Sequence, residues 1–530
     1  MQVSLESVAG WRPIVFKDFS ADIHYVVPPR IRRIKCDLAE PSCLKCTSTG
    51  RTCDGYGENQ LDSMEESSGN HNTAISVYQQ RQWLAGFHGL PSQGLGPLLV
   101  LPVNDPAQTE AMSFFEFISV KHLNEYHPSE SWRQTLMFFS QTVPSVRYAA
   151  VALGLMHRNY MDRKTGDWLP DEAPLLYYNR AIQHLLNQEN YDSIETTAIT
   201  LLVCYLFTCF DQLAGNYATA FKHLHGGLEL LRNMDEAILN NNNNMFDDFK
   251  TSPARSLLYQ VIKRIRRLDV QAVMFVTDWT PVELHDTLMP PLPSSDSTFE
   301  SFDQASDDLY TLMARVMSLR NTEQEMIMEG KAPPAPSPLK AVILVQLETW
   351  SSLFENMVQQ GSHHSKSYPL ISLLRLQYFV AWTFLSAYGP GREMEYDNFL
   401  PHFQQCVALA AEIAAANQAT LTPEIGIVPM LYIIGVKCRN PVVRREALRI
   451  LQRQPIREAV WDSMFAAKVI ERVIEIEEAG MVQGMEPIPM WQRVEALTWH
   501  HVVSGPSAPR LDIMYTFCAL EGLHTESLMI

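Results

Sequence analysis

The alternation of apolar and polar positions changes character near Thr109. From there apolar residues recur at intervals of three and four, in Phe114, Phe115, Phe117 and Ile118, in Leu136 to Phe139, and along Val146 to Met156. That period gathers them on one face of an α-helix, the face that packs. The same spacing predicts helices over 175–186, 196–210, 217–231, 309–320, 341–360, 370–387, 399–416, 427–436, 441–454 and 464–478. Near the end the period shortens towards two, so 495–503 and 510–516, parted by Gly505-Pro506-Ser507, predict a two-stranded hairpin. The expected fold class is all-α, a multi-helix body ending in a short β-hairpin. No fixed repeat is found, although the run of helices resembles a bundle or a solenoid.

Breaks in the pattern divide the chain. Residues 1–29 show no period and end on Pro28-Pro29, which stops a helix from running through. Residues 57–106 are rich in Gly, Ser, Asn, Gln and Pro and read as a linker, without the sustained heptads of a coiled coil. An asparagine run, Asn240 to Asn244, marks an insertion over 236–253. The organisation expected is therefore an atypical segment 1–29, a cysteine module 30–56, a linker 57–106, helical parts 107–235 and 254–480 on either side of the insertion, and a C-terminal segment 481–530. Gly226-Gly227 would let one helix pack closely on a neighbour or mark a defect in it. Residues 296–310 mix acids with aromatics, the composition of an activation segment and equally of a plain acidic linker.

Composition supports a large core: 46% of residues are hydrophobic, 10% aromatic and 19% charged. The longest apolar stretch, 196–210, carries threonines and two cysteines, reads as a buried helix, and gives no membrane partner. The first residues have neither a basic start before an apolar stretch nor a transit-peptide composition, which predicts a protein kept inside the cell. A net charge of −17 argues against nucleic acid, but the balance from Arg30 to Arg51 is +4, which leaves −21 elsewhere. A small basic module is joined to a large acidic body.

That module also holds four of the nine cysteines, Cys36, Cys43, Cys46 and Cys53, within eighteen residues. Clustered thiols of this kind point to metal, not to a disulfide framework. Zinc takes four thiolates in a tetrahedron at about 2.3 Å, and the Cys43-x2-Cys46 pair lets two sulfurs of one turn reach one ion.

The stretch Arg30-Ile31-Arg32-Arg33-Ile34-Lys35-Cys36-Asp37, then Pro41-Ser42-Cys43-Leu44-Lys45-Cys46 and Gly50-Arg51-Thr52-Cys53, resembles the later two-thirds of the fungal Zn₂Cys₆ binuclear cluster. Its first two cysteines belong at positions 26 and 29, where this chain has Val26 and Pro29. The resemblance implies zinc as cofactor, held by Cys36, Cys43, Cys46 and Cys53, but with neither site of the shared cluster complete. One zinc on all four thiolates and an under-liganded segment both stay open. It further implies double-stranded DNA as partner, with Arg32 and Arg33 reading guanine edges of a CGG triplet and Arg30, Lys35 and Lys45 contacting phosphate. Residues 144–154 and 177–182 are similar to the helical regulatory region of the same family. The resemblance thus implies a nuclear, zinc-dependent regulator of RNA polymerase II transcription, working with the transcription machinery and a small-molecule effector. Read as a bare basic run, the same residues would be a solvated surface or a nuclear-import signal.

An enzyme is not expected, since the chain has no Gly-x-Ser-x-Gly, P-loop, dinucleotide-binding glycine motif or His-Glu-x-x-His. His223-x-His225, His363-His364 and His500-His501 read as surface or core histidines, and Cys204 and Cys209 as core. The alternative function is a helical scaffold or cofactor without direct DNA binding. Because the match begins abruptly at Arg30, residues 1–29 are expected to come from another start or exon than the family's lead-in.

Overall fold

The computed structural model describes residues 105–162, 172–187, 194–232, 253–274, 276, 279–281, 298–331, 338–360, 368–387, 392–416, 420–479, 487–502, 510–518 and 522–529. Helix α1 (Pro106–Phe114) starts where Asp105 accepts from the Ala107 N–H at 2.9 Å, with proline in the first turn. An N-cap and a pre-set φ together fix that start. The helix loosens into a π-turn (Phe115–Ser119) and one last turn (Val120–His122). Six helices follow: α2 (Glu130–Thr142), α3 (Pro144–Asp162), α4 (Glu172–Leu186), α5 (Ile194–Ala214), α6 (Tyr217–Arg232) and α7 (Pro253–Ala272).

The core of this first half is α5, whose apolar residues surround it instead of forming a stripe. Leu201, Leu202, Val203 and Leu206 are fully buried, with α3, α6 and α7 packed around them. Each such burial stabilises by about 1.5–3 kcal/mol. At 21 residues α5 is longer than the predicted 196–210 and apolar enough to cross a membrane by length and composition, but 78% of its apolar window is covered inside the body. Helix α6 runs through Gly226-Gly227, where Gly227 faces Leu201 and Ile265.

The second half stacks α8 (Phe302–Met328), α9 (Pro338–Gln360), α10 (Tyr368–Ser386), a short turn (Arg392–Glu395) running into a 3₁₀ turn (Tyr396–Phe399), α11 (Leu400–Ala416), α12 (Val428–Lys437), α13 (Pro441–Gln452) and α14 (Ser463–Glu477). Helices predicted here match within a few residues, except α8, which starts seven residues before and ends eight residues after the predicted 309–320. The acidic stretch is not a linker from residue 302 onwards: Ser301 caps the helix, and Ala305, Ser306, Leu309 and Tyr310 are buried in its first turns. Helix α7 is not among the predicted helices, although Leu257, Leu258, Val261, Ile262, Ile265 and Leu268 keep the helical spacing; Arg264 and Arg267 share their buried face.

Two small sheets complete the fold. Strand β1 (Leu421–Thr422) pairs parallel with β2 (Arg457–Glu458), which pairs antiparallel with β3 (Trp461–Asp462). The predicted hairpin forms from β4 (Val494–Val502) and β5 (Arg510–Phe517), with Trp499 opposite Ile513. A third strand, β6 (His524–Met529), adds to β5 with Glu526 opposite Ile513, so the end is a three-stranded antiparallel sheet.

Candidate functional site

The metal and DNA residues expected from the sequence, Cys36, Cys43, Cys46 and Cys53 with Arg30, Arg32, Arg33, Lys35 and Lys45, lie outside the described residues, as do Asn240 to Asn244 and His363-His364. Among the described residues no group of three or more His, Cys, Asp or Glu side chains is placed to hold a metal. The site that the body offers is built instead from charges sunk in its apolar second half.

Its centre is Glu393, fully buried on the short turn before α11. Oε1 accepts from Lys437 Nζ at 2.6 Å and Oε2 from Arg439 Nη1 at 2.8 Å. Arg439 passes on to Glu477 of α14 at 2.9 Å, and Glu477 to Arg444 of α13 at 2.8 Å. Glu477 also accepts from the Val494 N–H, and Arg493 donates to the Glu393 carbonyl at 2.7 Å and pairs with Asp397 at 2.6 Å. Five helical elements, counting the two short turns, and β4 are thereby pinned to one charge network. Burial pushes the Glu393 carboxyl up, but Lys437, Arg439 and Arg392 outweigh it and hold it at about 2. Burial also pulls the Lys437 ammonium down to about 8 against the attraction of Glu393.

Beside the network lies a cleft between α8, α10, α12 and β4, lined by Arg320, Phe384, Tyr432, Val436, Lys437 and Leu497. Its cavity volume is about 10 Å³. That is room for about one ordered water. The Arg320 guanidinium stacks on the Phe384 ring at 4.0 Å and donates to the Tyr396 hydroxyl at 3.3 Å. In the amide orientation that satisfies both groups, Gln324 accepts from Arg320 at 3.2 Å and from Arg392 at 3.0 Å.

Three further polar centres tie the two halves together. Glu424 takes Arg264 at 3.1 Å and faces His127 at 3.2 Å, while Arg267 reaches Asp307 at 2.8 Å. Glu458 accepts from the Tyr126 hydroxyl and from the Gly426, Ile427 and Val428 N–H groups at the start of α12. Burial nonetheless pushes its carboxyl up to about 7. His157 bridges Ser119, His122 and Thr420 at 2.9, 3.2 and 2.9 Å, and burial pulls the His157 and His122 imidazoles down to about 3 and about 4. In the first half, Tyr178 contacts both His223 and Asp211, whose carboxyl burial raises to about 7. His223 is thus a partly buried core histidine beside an acid twelve residues away on the preceding helix, which a search of local spacing does not find. Apart from His223, sequence reasoning missed these groups. The available signal was a charge inside an apolar run, as in Lys437 and Arg439 directly after 428–436.

The family model of the fungal specific transcription factor domain matches residues 113–473, more than half of the chain. The chain therefore belongs to that family of fungal transcription factors. It is 22% identical over 560 aligned positions to the aspercryptin biosynthesis cluster-specific transcription regulator of Emericella nidulans, covering 86% of this chain and 88% of the relative. It is 29% identical over 218 positions to the transcription regulator lscL of Purpureocillium lilacinum, covering 39% of this chain and 48% of the relative. No solved structure matches it. Family and relatives make this a transcription regulator and point away from an enzyme.

Proposed function

We propose that the chain is a nuclear, zinc-dependent regulator that binds CGG-type sites in double-stranded DNA through residues 30–56 and meets the transcription machinery and a small-molecule effector through its helical body. The observation that carries this reading is the basic run Arg30 to Lys35 set directly before the Cys36, Cys43, Cys46, Cys53 frame, ahead of a family-matched body. Four thiolates fit one tetrahedral zinc, and zinc would supply the folding energy of so short a segment. Arg32 and Arg33 would carry base readout, and Arg30, Lys35 and Lys45 phosphate contact.

The test is binding of the full chain to a CGG-containing duplex across a salt series. Arg33→Ala should flatten discrimination between CGG and a scrambled site, and Lys45→Ala should weaken binding to any sequence and lower the salt slope by about 1. Val26 and Pro29, standing where the family has cysteines, favour a second reading: a helical scaffold or cofactor without direct DNA binding. Salt-independent, negligible affinity for both duplexes would select that reading and overturn the first.

A further inference from the structure

The sheet of β4, β5 and β6 has two edges, and the body treats them differently. Along β4 the main chain is tied to the charge network: the Val494 carbonyl accepts from Arg439 at 3.0 Å, the Glu495 carbonyl accepts from Lys437 at 2.9 Å, and the Val494 N–H donates to Glu477 at 2.9 Å. Along β6, among the described residues, no main-chain group bonds to anything but β5. The alternate N–H and C=O groups that point away from β5 are therefore a template for one more strand. Soluble proteins normally guard such an edge with lysine, proline, a bulge or a very short strand. Strand β6 has none of these: His524 to Met529 hold an unbroken register with β5, and the one irregularity of the sheet lies between β4 and β5.

The charges beside this edge are already spent. Glu526 takes Arg472 at 2.8 Å and the Tyr515 hydroxyl at 2.7 Å. On the other face Asp512 takes Arg510 at 3.1 Å and the Ser527 hydroxyl at 2.5 Å. Met529 stands 63% exposed at the end of the strand.

We propose that β6 is a self-association surface: a second copy of the chain lays its own β6 antiparallel against it across a two-fold axis, and two three-stranded sheets become one of six. Charge and register single out a second copy. The chain carries a net charge of −17, so two copies repel over most of their surface and approach at least cost along an edge whose charges are paired. A two-fold axis normal to the sheet keeps every side chain on its own face, so the register is set by one residue that opposes itself. Only registers centred on Glu526 or Ser527 keep five positions of β6 paired. Centred on Glu526, two carboxylates would stand face to face, which is destabilising. Centred on Ser527, Glu526 opposes Leu528 and Thr525 opposes Met529, and no charge meets its like. Both strands are ordered before they meet, so pairing costs little chain entropy. Five positions a side fall short of the roughly 20–30 residues of a standard interface, which implies a weak dimer with a dissociation constant of about 10–100 µM. The inference goes beyond the proposed function and uses no residue of 30–56.

The experiment is sedimentation equilibrium of the full chain over a concentration series that spans that dissociation constant. Native chain should pass from monomer to dimer and no further, because the pairing uses up the open edge. Thr525→Lys/Met529→Lys sets lysine against lysine at both ends of the ladder and should raise the dissociation constant at least about ten-fold. Thr525→Glu/Met529→Glu should do the same. An equal mixture of the two variants should associate at least as tightly as the native chain, since each lysine then faces a glutamate. Both side chains are exposed, so the urea midpoint of each variant should match that of the native chain. Ser527→Cys changes no charge and should give a disulfide-linked dimer under mild oxidation, whereas Leu523→Cys, outside the ladder, should stay at the native baseline. A native chain that remains monomeric throughout, a double-lysine variant that dimerises as the native chain does, a lysine and glutamate mixture that fails to associate, or equal cross-linking at positions 523 and 527 would each overturn the proposal.

Discussion

Tyr126 donates its hydroxyl to Glu458 at 2.6 Å across 332 positions of sequence, joining the end of the first helical turns to a two-residue strand in the second half. The contact leaves no spare room, since a Cβ on Gly426 would stand 2.2 Å from the Tyr126 ring. Tyr126→Phe should cost about 1 kcal/mol, the net worth of one hydrogen bond, because Glu458 keeps the Gly426, Ile427 and Val428 N–H donors. Gly426→Ala should cost more, and much of that loss should return in Tyr126→Ala/Gly426→Ala, where the ring is gone. Urea midpoints of the native chain, Tyr126→Ala, Gly426→Ala and the double variant measure the cycle; strict additivity would show that the two residues do not meet.

The histidine pair sets an acid limit. Burial keeps His157 and His122 neutral in the fold down to about 3 and about 4, whereas in the unfolded chain both take up protons near 6.5. A lowered base means stability that is complete above the unfolded value and is lost as pH falls through 6.5 towards 4. Glu458 and Asp211, both raised to about 7, act in the opposite sense over much of this range, so the effect is read as a difference between proteins. The penalty of His157→Gln should shrink by about 2 kcal/mol between pH 7.5 and pH 5. A penalty that does not vary with pH would remove the histidine from this account.

Glu393→Gln keeps the shape of the side chain but leaves Lys437 and Arg439 facing a neutral group. Removing one member of a buried pair costs about 3–5 kcal/mol. Glu446→Gln, in the exposed pair with Arg449, should cost under about 1 kcal/mol. Equal losses at the two sites would show that the buried network carries no special weight.

Zinc content separates the readings of the cysteine module. The purified full chain should hold fewer than two zinc ions, because Cys36, Cys43, Cys46 and Cys53 supply thiolates for one tetrahedral site only. Two tightly held ions per chain, by atomic absorption after dialysis, would show that other ligands complete a binuclear cluster.

Helix positions were legible because apolar spacing is a local signal: 370–387 was expected where Tyr368–Ser386 is found, and 399–416 where Leu400–Ala416 is found. The failures have a shared cause. In α7 Leu257, Val261, Ile265 and Leu268 keep the helical spacing, but Arg264 and Arg267 stand on the same face, buried because Glu424 and Asp307 neutralise them, and Asp303 and Asp307 made the start of α8 look like an exposed acidic stretch. Partners 40 and 160 positions away decide these cases, and no window of sequence contains them. Strand β6 escaped for a different reason, since His524–Met529 is an edge strand with little buried side chain to impose alternation. The cleft at Arg320 was equally unreadable, being assembled from α8, α10, α12 and β4.

The long sequence separation of the Tyr126–Glu458 contact has a consequence for synthesis. At roughly 5–20 residues per second, about 20–60 s pass between the emergence of the two residues from the ribosome. Throughout that interval the nascent first half has Arg264 without Glu424, His157 without Thr420 and Tyr126 without Glu458. It also carries α5, apolar on every side, with buried polar neighbours still unpartnered. A chain stopped early, by a premature stop codon or a misplaced splice, therefore yields an aggregation-prone client of chaperones and not a smaller working regulator.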